Sequence, residues 1–124
     1  MIKAVLLVGL GGFIGSTARF AAGLLFTKLT KPDFPWATFT VNVVGCLLIG
    51  LIFGFSEKLD WLNTNWRLFL AVGICGGFTT FSSFAYENIS MIHHQNYSGF
   101  FLYTAGSVLL GLAAVWAGLL LTKI

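Results

Sequence analysis

The sequence predicts an all-α membrane protein that crosses the bilayer four times. Of its 124 residues, 57% are hydrophobic and only 9% are charged, and the mean hydropathy is +0.90. A soluble domain of this size must cover itself with polar surface, so this composition exceeds what one small core can bury. Four apolar stretches each reach the roughly 20 residues that a membrane helix needs. They lie at residues 4–26, 36–55, 68–92 and 100–121.

Three short polar segments connect these stretches. KLTKPDFP, residues 28–35, contains both prolines and ends the first span, because proline lacks a backbone donor and biases its predecessor away from helix. SEKLDWLNTNW, residues 56–66, carries two tryptophans, a residue type that favours the headgroup level. HHQNYS, residues 93–98, makes the last connection. We therefore expect a single four-helix transmembrane domain over residues 1–124.

The positive charges are nearly balanced across the predicted membrane. Four would lie on one side, namely Lys3, Lys58, Arg67 and Lys123, and three on the other, namely Arg19, Lys28 and Lys31. Four against three is almost no bias, so the positive-inside rule favours neither orientation. A chain inserted both ways can pair with itself about a two-fold axis in the membrane plane, and two-fold pairs are the commonest oligomers. We expect an antiparallel, dual-topology homodimer, and we infer no nucleic-acid partner from the net charge of +3.

Glycine pairs spaced four residues apart recur along the spans. Such a pair lies on one helix face and lets two backbones approach closely. The pairs are Gly11/Gly15, Gly50/Gly54 and Gly73/Gly77. They predict tight packing between helices.

The third span contains a candidate break. In GICGGFTTFSSFAYEN, residues 73–88, Gly76 and Gly77 precede four hydroxyl side chains that can satisfy freed backbone groups. A helix at membrane depth unwinds only where protein or a cavity shelters it, and its unwound carbonyls are oxygen ligands of the kind that bind small cations in transporters. Two copies around a dimer axis would supply four carbonyls to an alkali cation. A kink without an ion explains the same residues, and the residues alone favour that simpler explanation.

Two polar side chains in the first two spans need partners that lipid does not supply. Asn42 must face another helix or water, so an interhelical hydrogen bond and contact with a permeating solute both fit. Arg19, near the hydrocarbon edge, either extends to the headgroups or lines an aqueous vestibule that attracts anions. Thr38 has a local explanation, because threonine can return its hydroxyl to the preceding turn.

Aromatic and hydroxyl side chains predict a lane of neutral hydrogen-bond donors. Phe81 and Phe84 share one helix face, as do Tyr103 and Ser107. Aromatic stripes at this spacing usually belong to a core, but ring edges carry partial positive charge that stabilises anions. The complete lane would be Asn42, Phe81, Ser82, Ser83, Phe84, Tyr103 and Ser107. With no titratable group inside, it suits a small hydrated anion, and Glu87 is expected to mark the polar end of the span.

Other function classes fit the residues less well. Cys46 and Cys75 lie mid-span, where thiols behave as small apolar groups, and no Ser/His/carboxylate set is spaced for catalysis, so we expect no enzyme. A small multidrug-type, proton-coupled exporter would share the four-helix, dual-topology plan but needs a membrane-buried carboxylate, whereas Glu87 lies near a span end. A non-transporting packing subunit would explain the glycines but not the aligned polar groups.

Three segments resemble the Fluc, or CrcB, family of small fluoride channels. GGFIGSTARF, residues 11–20, resembles that family's GGxxGxxxR segment, and TFTVNVVG, residues 38–45, its VNxxG segment. GGFTTFSSF, residues 76–84, resembles the family's GGxTTFSTF signature. The resemblance covers the whole chain, with one departure: Ser83 stands where the pattern has threonine.

The resemblance implies an antiparallel dual-topology homodimer that passes fluoride passively through two pores in a bacterial plasma (inner) membrane. It implies that the backbone carbonyls of Gly76 and Thr79 hold a structural sodium ion at the dimer interface, against the ion-free kink that the residues alone favour. It places Arg19 at the vestibule. It also implies that the fluoride pore is lined by Asn42, Phe81, Ser82, Ser83, Phe84, Tyr103 and Ser107.

Overall fold

The computed structural model of the protein describes residues 1–124 and consists of helices joined by short turns. Helix α1 spans Ile2–Leu29, α2 spans Trp36–Ser56 and α6 spans Tyr97–Leu121. The third crossing, Thr64–His93, is composite. It comprises α3 (Thr64–Arg67), a π-helical segment (Leu68–Cys75), α4 (Gly76–Phe78) and α5 (Phe81–His93). Four helical stretches are thus long and apolar enough to cross a membrane, which confirms the all-α, four-helix prediction.

Asparagine side chains cap two of the helices. Asn63 accepts hydrogen bonds from the backbone N–H groups of Asn65 and Trp66, at 3.1 and 3.3 Å, and so begins α3. Asn96 accepts from the N–H of Gly99 at 3.0 Å and begins α6. Each cap satisfies N–H groups that have no partner within the helix. The two caps therefore define where α3 and α6 begin.

Glycine contacts pair α1 with the third crossing and α2 with α6. A methyl group added at Gly73 would lie 2.8 Å from the Cα of Gly11, and one added at Gly50 would lie 3.0 Å from the Cα of Gly118. Neither position has room for a side chain, because a backbone stands where the methyl group would go. The tight packing predicted from the glycine spacing is confirmed at these contacts.

The π-helical segment is absent from the sequence-based expectations. At its end the N–H of Gly76 donates to the carbonyl of Ala71, five residues earlier, instead of only to a residue three or four back. Such wider turns are uncommon and often lie near functional sites. This one overlaps the first three residues of the glycine- and hydroxyl-rich stretch at residues 73–88.

Large apolar side chains cover the outside of the chain. Phe13, Leu109 and Trp116 are each about two-thirds exposed, at 69%, 67% and 66%. In a membrane these faces meet lipid tails or another chain, since a helix that is apolar all round is a membrane or core helix. The interior is small and centres on Val41 and Tyr103, which are 2% and 0% exposed.

Candidate functional site

Two residues between α4 and α5 have extended backbone. Thr79 has φ −88° and ψ 158°, and Thr80 has φ −152° and ψ 119°. Backbone of this kind at membrane depth needs hydrogen-bond partners from neighbouring protein. Asn42 on α2 supplies them: its Nδ2 donates to the carbonyl of Thr80 at 3.1 Å, and the N–H of Thr80 donates to its Oδ1 at 2.8 Å. The interhelical hydrogen bond expected as one explanation of Asn42 is thus present.

Three further contacts satisfy the ends of the helices around this extended pair. The hydroxyl of Thr79 donates to the carbonyl of Cys75 at 2.8 Å, and the N–H of Ser83 donates to the hydroxyl of Thr80 at 3.2 Å. Nε of Arg19 donates to the carbonyl of Gly77 at 3.0 Å. This carbonyl would accept the N–H four residues on in a continuous helix, but α5 begins there instead. Arg19 therefore ties α1 to the end of α4.

Glu87 on α5 accepts hydrogen bonds from two other helices. The hydroxyl of Thr38 on α2 donates to its Oε2, and the hydroxyl of Tyr103 on α6 donates to its Oε1, both at 2.7 Å. The expected bond of Thr38 to its preceding turn is wrong, because its hydroxyl is directed at this carboxylate. The expectation of a lane without a titratable group is also wrong, since Tyr103 contacts Glu87 directly.

The rings of Phe81 and Phe84 lie between the contacts of Asn42 and those of Glu87. Phe81 is 79% exposed and lines an open cavity of about 270 Å³ together with Asn42 and Thr80. Its ring centroid lies 5.8 Å from that of Phe84. The ring of Phe84 in turn lies 5.0 Å from that of Tyr103, at an interplanar angle of 62°. These residues form a row that runs from Asn42 through Phe81, Phe84 and Tyr103 to Glu87. Asn42 and Phe81 line the same cavity, and the hydroxyl of Tyr103 contacts Glu87.

The remaining predicted lane residues differ in their contacts. The hydroxyl of Ser82 lies 3.3 Å from that of Thr80 and is exposed. Ser83 contributes its backbone N–H to the Thr80 cap. Ser107 is one turn beyond Tyr103, and its buried hydroxyl has no hydrogen-bond partner within the chain. It is the one buried side-chain polar atom without a partner, and an unsatisfied buried hydroxyl is costly.

A second cavity adjoins the Glu87 end of the row. It has a volume of about 460 Å³ and is lined by residues of the α1–α2 loop, by α5 and by the α5–α6 turn, including Asp33, Glu87 and His94. The row of polar and aromatic groups therefore has an open cavity at each end.

Sequence reasoning did not anticipate the partners of Thr38, Glu87 and Arg19. A carboxylate within an apolar stretch was visible, but its distance from Thr38 and Tyr103 in the chain gave no sign of contact. The only available signal was physical: a carboxylate inside the membrane almost always faces a partner or water. That signal predicts that a partner exists and does not identify it.

Comparison with known proteins follows the same segments. The family model described as "CrcB-like protein, Camphor Resistance (CrcB)" matches residues 6–119. The chain is 43% identical to the fluoride-specific ion channel FluC of Flavobacterium psychrophilum over 98% of each chain. It is 44% identical to the FluC of Azobacteroides pseudotrichonymphae over 99% of this chain and 98% of the relative. It is also 44% identical to the FluC of Caulobacter vibrioides over 96% of this chain and 94% of the relative.

These matches span nearly the whole chain and include all three segments on which the resemblance rests. The relatives are named as ion channels, which agrees with the expectation that the chain is not an enzyme. Together with four helices able to cross a membrane, they identify a multi-pass membrane protein. The chain belongs to the CrcB-like family.

Proposed function

We propose that this protein is a fluoride channel that lets cytoplasmic fluoride leave a bacterium passively through the inner membrane. The observation that carries the proposal is its identity of 43% and 44%, over nearly the full length, to channels named as fluoride-specific. Hydrogen fluoride crosses membranes as a neutral acid and ionises inside, where the anion is trapped. The membrane potential supplies about 2.3 kcal/mol per charge per 100 mV for its exit, so no coupled energy source is needed.

The proposed pore follows the row of groups between the two cavities. Asn42 uses one amide proton for Thr80, so its second proton remains for an anion, because a carboxamide has two donors. The edges of Phe81 and Phe84 add partial positive charge, and the unpaired hydroxyl of Ser107 adds a further donor. Ser82, Ser83 and Tyr103 complete the polar side of the path. Tyr103 must turn its hydroxyl away from Glu87 to donate to a passing anion.

The proposed assembly is an antiparallel dual-topology homodimer with two pores, in which the extended pair Thr79–Thr80 is the functional break of the third span. The exposed apolar faces of the single chain are consistent with such a partner. Arg19, which anchors Gly77 at this break, keeps four of its five N–H donors for a positively charged vestibule.

The same break is the proposed sodium site. No group of three or more His, Cys, Asp or Glu side chains is arranged to hold a metal, so a cation here would depend on backbone oxygens. Gly76 is exposed and Thr79 partly exposed, so a second copy has access to this stretch of backbone, and carbonyl oxygens suit sodium. One chain supplies two such ligands, and a dimer would supply four. Sodium would then act structurally, by joining the two breaks.

Fluoride efflux from proteoliposomes tests the proposed function. Purified protein is reconstituted, a potassium gradient with valinomycin sets the potential, and a fluoride electrode records release beside a matched chloride measurement. Fast fluoride release without chloride release is the expected result. Silence in both measurements, from a verified folded dimer, would overturn the proposal.

Phe81→Ile and Phe84→Ile are each expected to lower fluoride efflux about two- to tenfold, because each removes aromatic contacts worth about 0.5–1.5 kcal/mol beyond burial and about 1.4 kcal/mol corresponds to tenfold in rate. Dimers should remain intact by size-exclusion chromatography. Phe101→Ile is the matched control, since Phe101 is 67% exposed on α6. Lost assembly in the first two variants would favour a packing role instead.

Glu87→Gln is expected to leave fluoride efflux within about threefold of wild type, a change of under 1 kcal/mol in the barrier. Glutamine can accept a hydrogen bond from one of Thr38 and Tyr103 and donate to the other, because hydroxyls serve in both roles. Glu87→Leu removes both bonds and serves as the comparison. A proton-coupled exporter needs an ionisable carboxylate, so complete loss of activity in Glu87→Gln would favour that alternative.

A further inference from the structure

Two adjacent hydrogen bonds join α5 to α6. The hydroxyl of Tyr103 donates to Glu87 at 2.7 Å, and the hydroxyl of the next residue, Thr104, donates to Oδ1 of Asn88 at 2.9 Å. Asn88 is only 6% exposed, and no feature of the proposed pore described above accounts for it. A buried carboxamide in an apolar helix needs an explanation, because leaving it without partners is costly.

The other end of the Asn88 carboxamide turns back onto its own helix. Its Nδ2 donates to the carbonyl of Phe84, one turn earlier, at 2.9 Å. The bond fixes the carboxamide in one orientation, so that its oxygen faces α6 and accepts from Thr104. Asn88 therefore links the backbone of a proposed fluoride-contacting residue to the neighbouring helix.

The two interhelical bonds together fix the rotation of α5. Glu87 and Asn88 are successive residues, which project about 100° apart around a helix. The bonds that Glu87 accepts from Thr38 and Tyr103 end on one side chain, about which α5 could still turn. The bond at Asn88 acts in a different direction and opposes that turn. The rotation matters because the ring of Phe84 lies 5.0 Å from that of Tyr103 and 5.8 Å from that of Phe81. Any turn of α5 moves the Phe84 ring along or out of the row.

We propose that Asn88 and Thr104 are positioning residues, which hold the ring of Phe84 in the fluoride path and thereby set the rate of fluoride passage. This inference rests on the proposed function. The alternative is a role in stability alone, in which the same bonds hold α5 and α6 together without affecting the rate. The test must therefore separate flux through each dimer from the amount of dimer formed.

Thr104→Val keeps the shape of the side chain and removes its donor. We expect the dimer to persist and fluoride efflux per dimer to fall about tenfold, equivalent to about 1.4 kcal/mol in the barrier. Thr104→Ser retains a hydroxyl, so its efflux is expected to stay within about twofold of wild type. That change is well below the tenfold loss expected for Thr104→Val. Thr17→Val, at an exposed threonine on α1, is the matched control and should change nothing.

A double-variant cycle shows whether the effect passes through Phe84. In the Phe84→Ile background, Thr104→Val should lower efflux no further, because the ring that it positions is gone. An equal additional loss in that background would overturn the inference. So would Thr104→Val dimers with wild-type efflux, or a Thr104→Val chain that fails to form dimers, since either result assigns the bond to stability.

Replacing both partners gives a second, independent arm. Asn88→Leu combined with Thr104→Val removes both partners of the bond and leaves neither one buried without the other, so assembly should be close to normal. Efflux should nevertheless stay low if the bonds position Phe84, and recovered efflux would overturn the inference. Wild-type protein without any fluoride efflux would instead overturn the proposed function, and this inference with it.

Discussion

Asn42→Asp is expected to lower fluoride efflux at least about a hundredfold while the chain still inserts and pairs. Asn42 both donates to and accepts from the backbone of Thr80. Aspartate keeps the acceptor, loses the donor and brings an ionised oxygen against the Thr80 carbonyl. Two like charges about 4 Å apart repel each other by about 4 kcal/mol at an effective dielectric constant of about 20, so an ionised carboxylate here would oppose a passing fluoride ion. About 2.7 kcal/mol corresponds to a hundredfold change in rate.

The measurement is fluoride efflux per mole of folded protein, normalised to the folded fraction found by size-exclusion chromatography. Thr40→Val is the matched control, because Thr40 lies two residues away on the same helix and forms no side-chain hydrogen bond to another helix. Wild-type efflux from Asn42→Asp dimers would show that neither the Thr80 bond nor the neutrality of this position matters to the path.

Gly15→Ala is expected to abolish the folded protein. A methyl group at Gly15 would lie 2.8 Å from the backbone nitrogen of Phe78 and closer still to the carbonyl oxygen of Ile74. Backbone atoms cannot move aside by changing rotamer, so α1 would have to separate from the third crossing. Overpacking of this kind costs about 1–3 kcal/mol or more, and here it also strains the helix that carries Arg19. The expected result is aggregation in place of a single symmetric peak in size-exclusion chromatography.

Gly23→Ala and Gly9→Ala are the matched controls on the same helix. A methyl group at either position would meet no atom within 4 Å. Alanine also favours helix by about 1 kcal/mol over glycine, so both variants should fold at least as well as wild type. Equal damage from Gly23→Ala would show that close contact with the third crossing does not explain the sensitivity of α1.

The four crossings were predictable because their signal is local and repeated. Apolar runs, prolines and polar turns lie next to one another in the chain, and the second predicted stretch, residues 36–55, differs from α2 by a single residue at its end. The glycine pairs were predictable for a related reason. Spacing of four places both members on one face whatever the partner is. Such features depend on sequence neighbours alone.

The hydrogen-bond partners were not predictable, because they depend on how each helix is rotated about its axis. The carboxamide of Asn42 requires a hydrogen-bond partner, but several polar segments could supply one. The hydroxyl of Thr38 was expected to bond to its preceding helical turn, but it donates to Glu87 on another helix instead. The π-helical segment was not predictable either. It contains Gly73, where α1 approaches closely, and nothing in LFLAVGIC, residues 68–75, marks a wider turn.

The extended pair Thr79–Thr80 also interrupts the alignment of peptide dipoles along the third crossing. Peptide dipoles add along a helix, and each end carries about half an elementary charge. Because α5 begins at Phe81, its positive end lies beside the two phenylalanines, while the carbonyl end of the preceding stretch is negative and meets Arg19. Where the surrounding protein excludes water, such partial charges are weakly screened. A field produced by the backbone does not titrate, and it therefore keeps its sign and strength at any pH at which the chain stays folded.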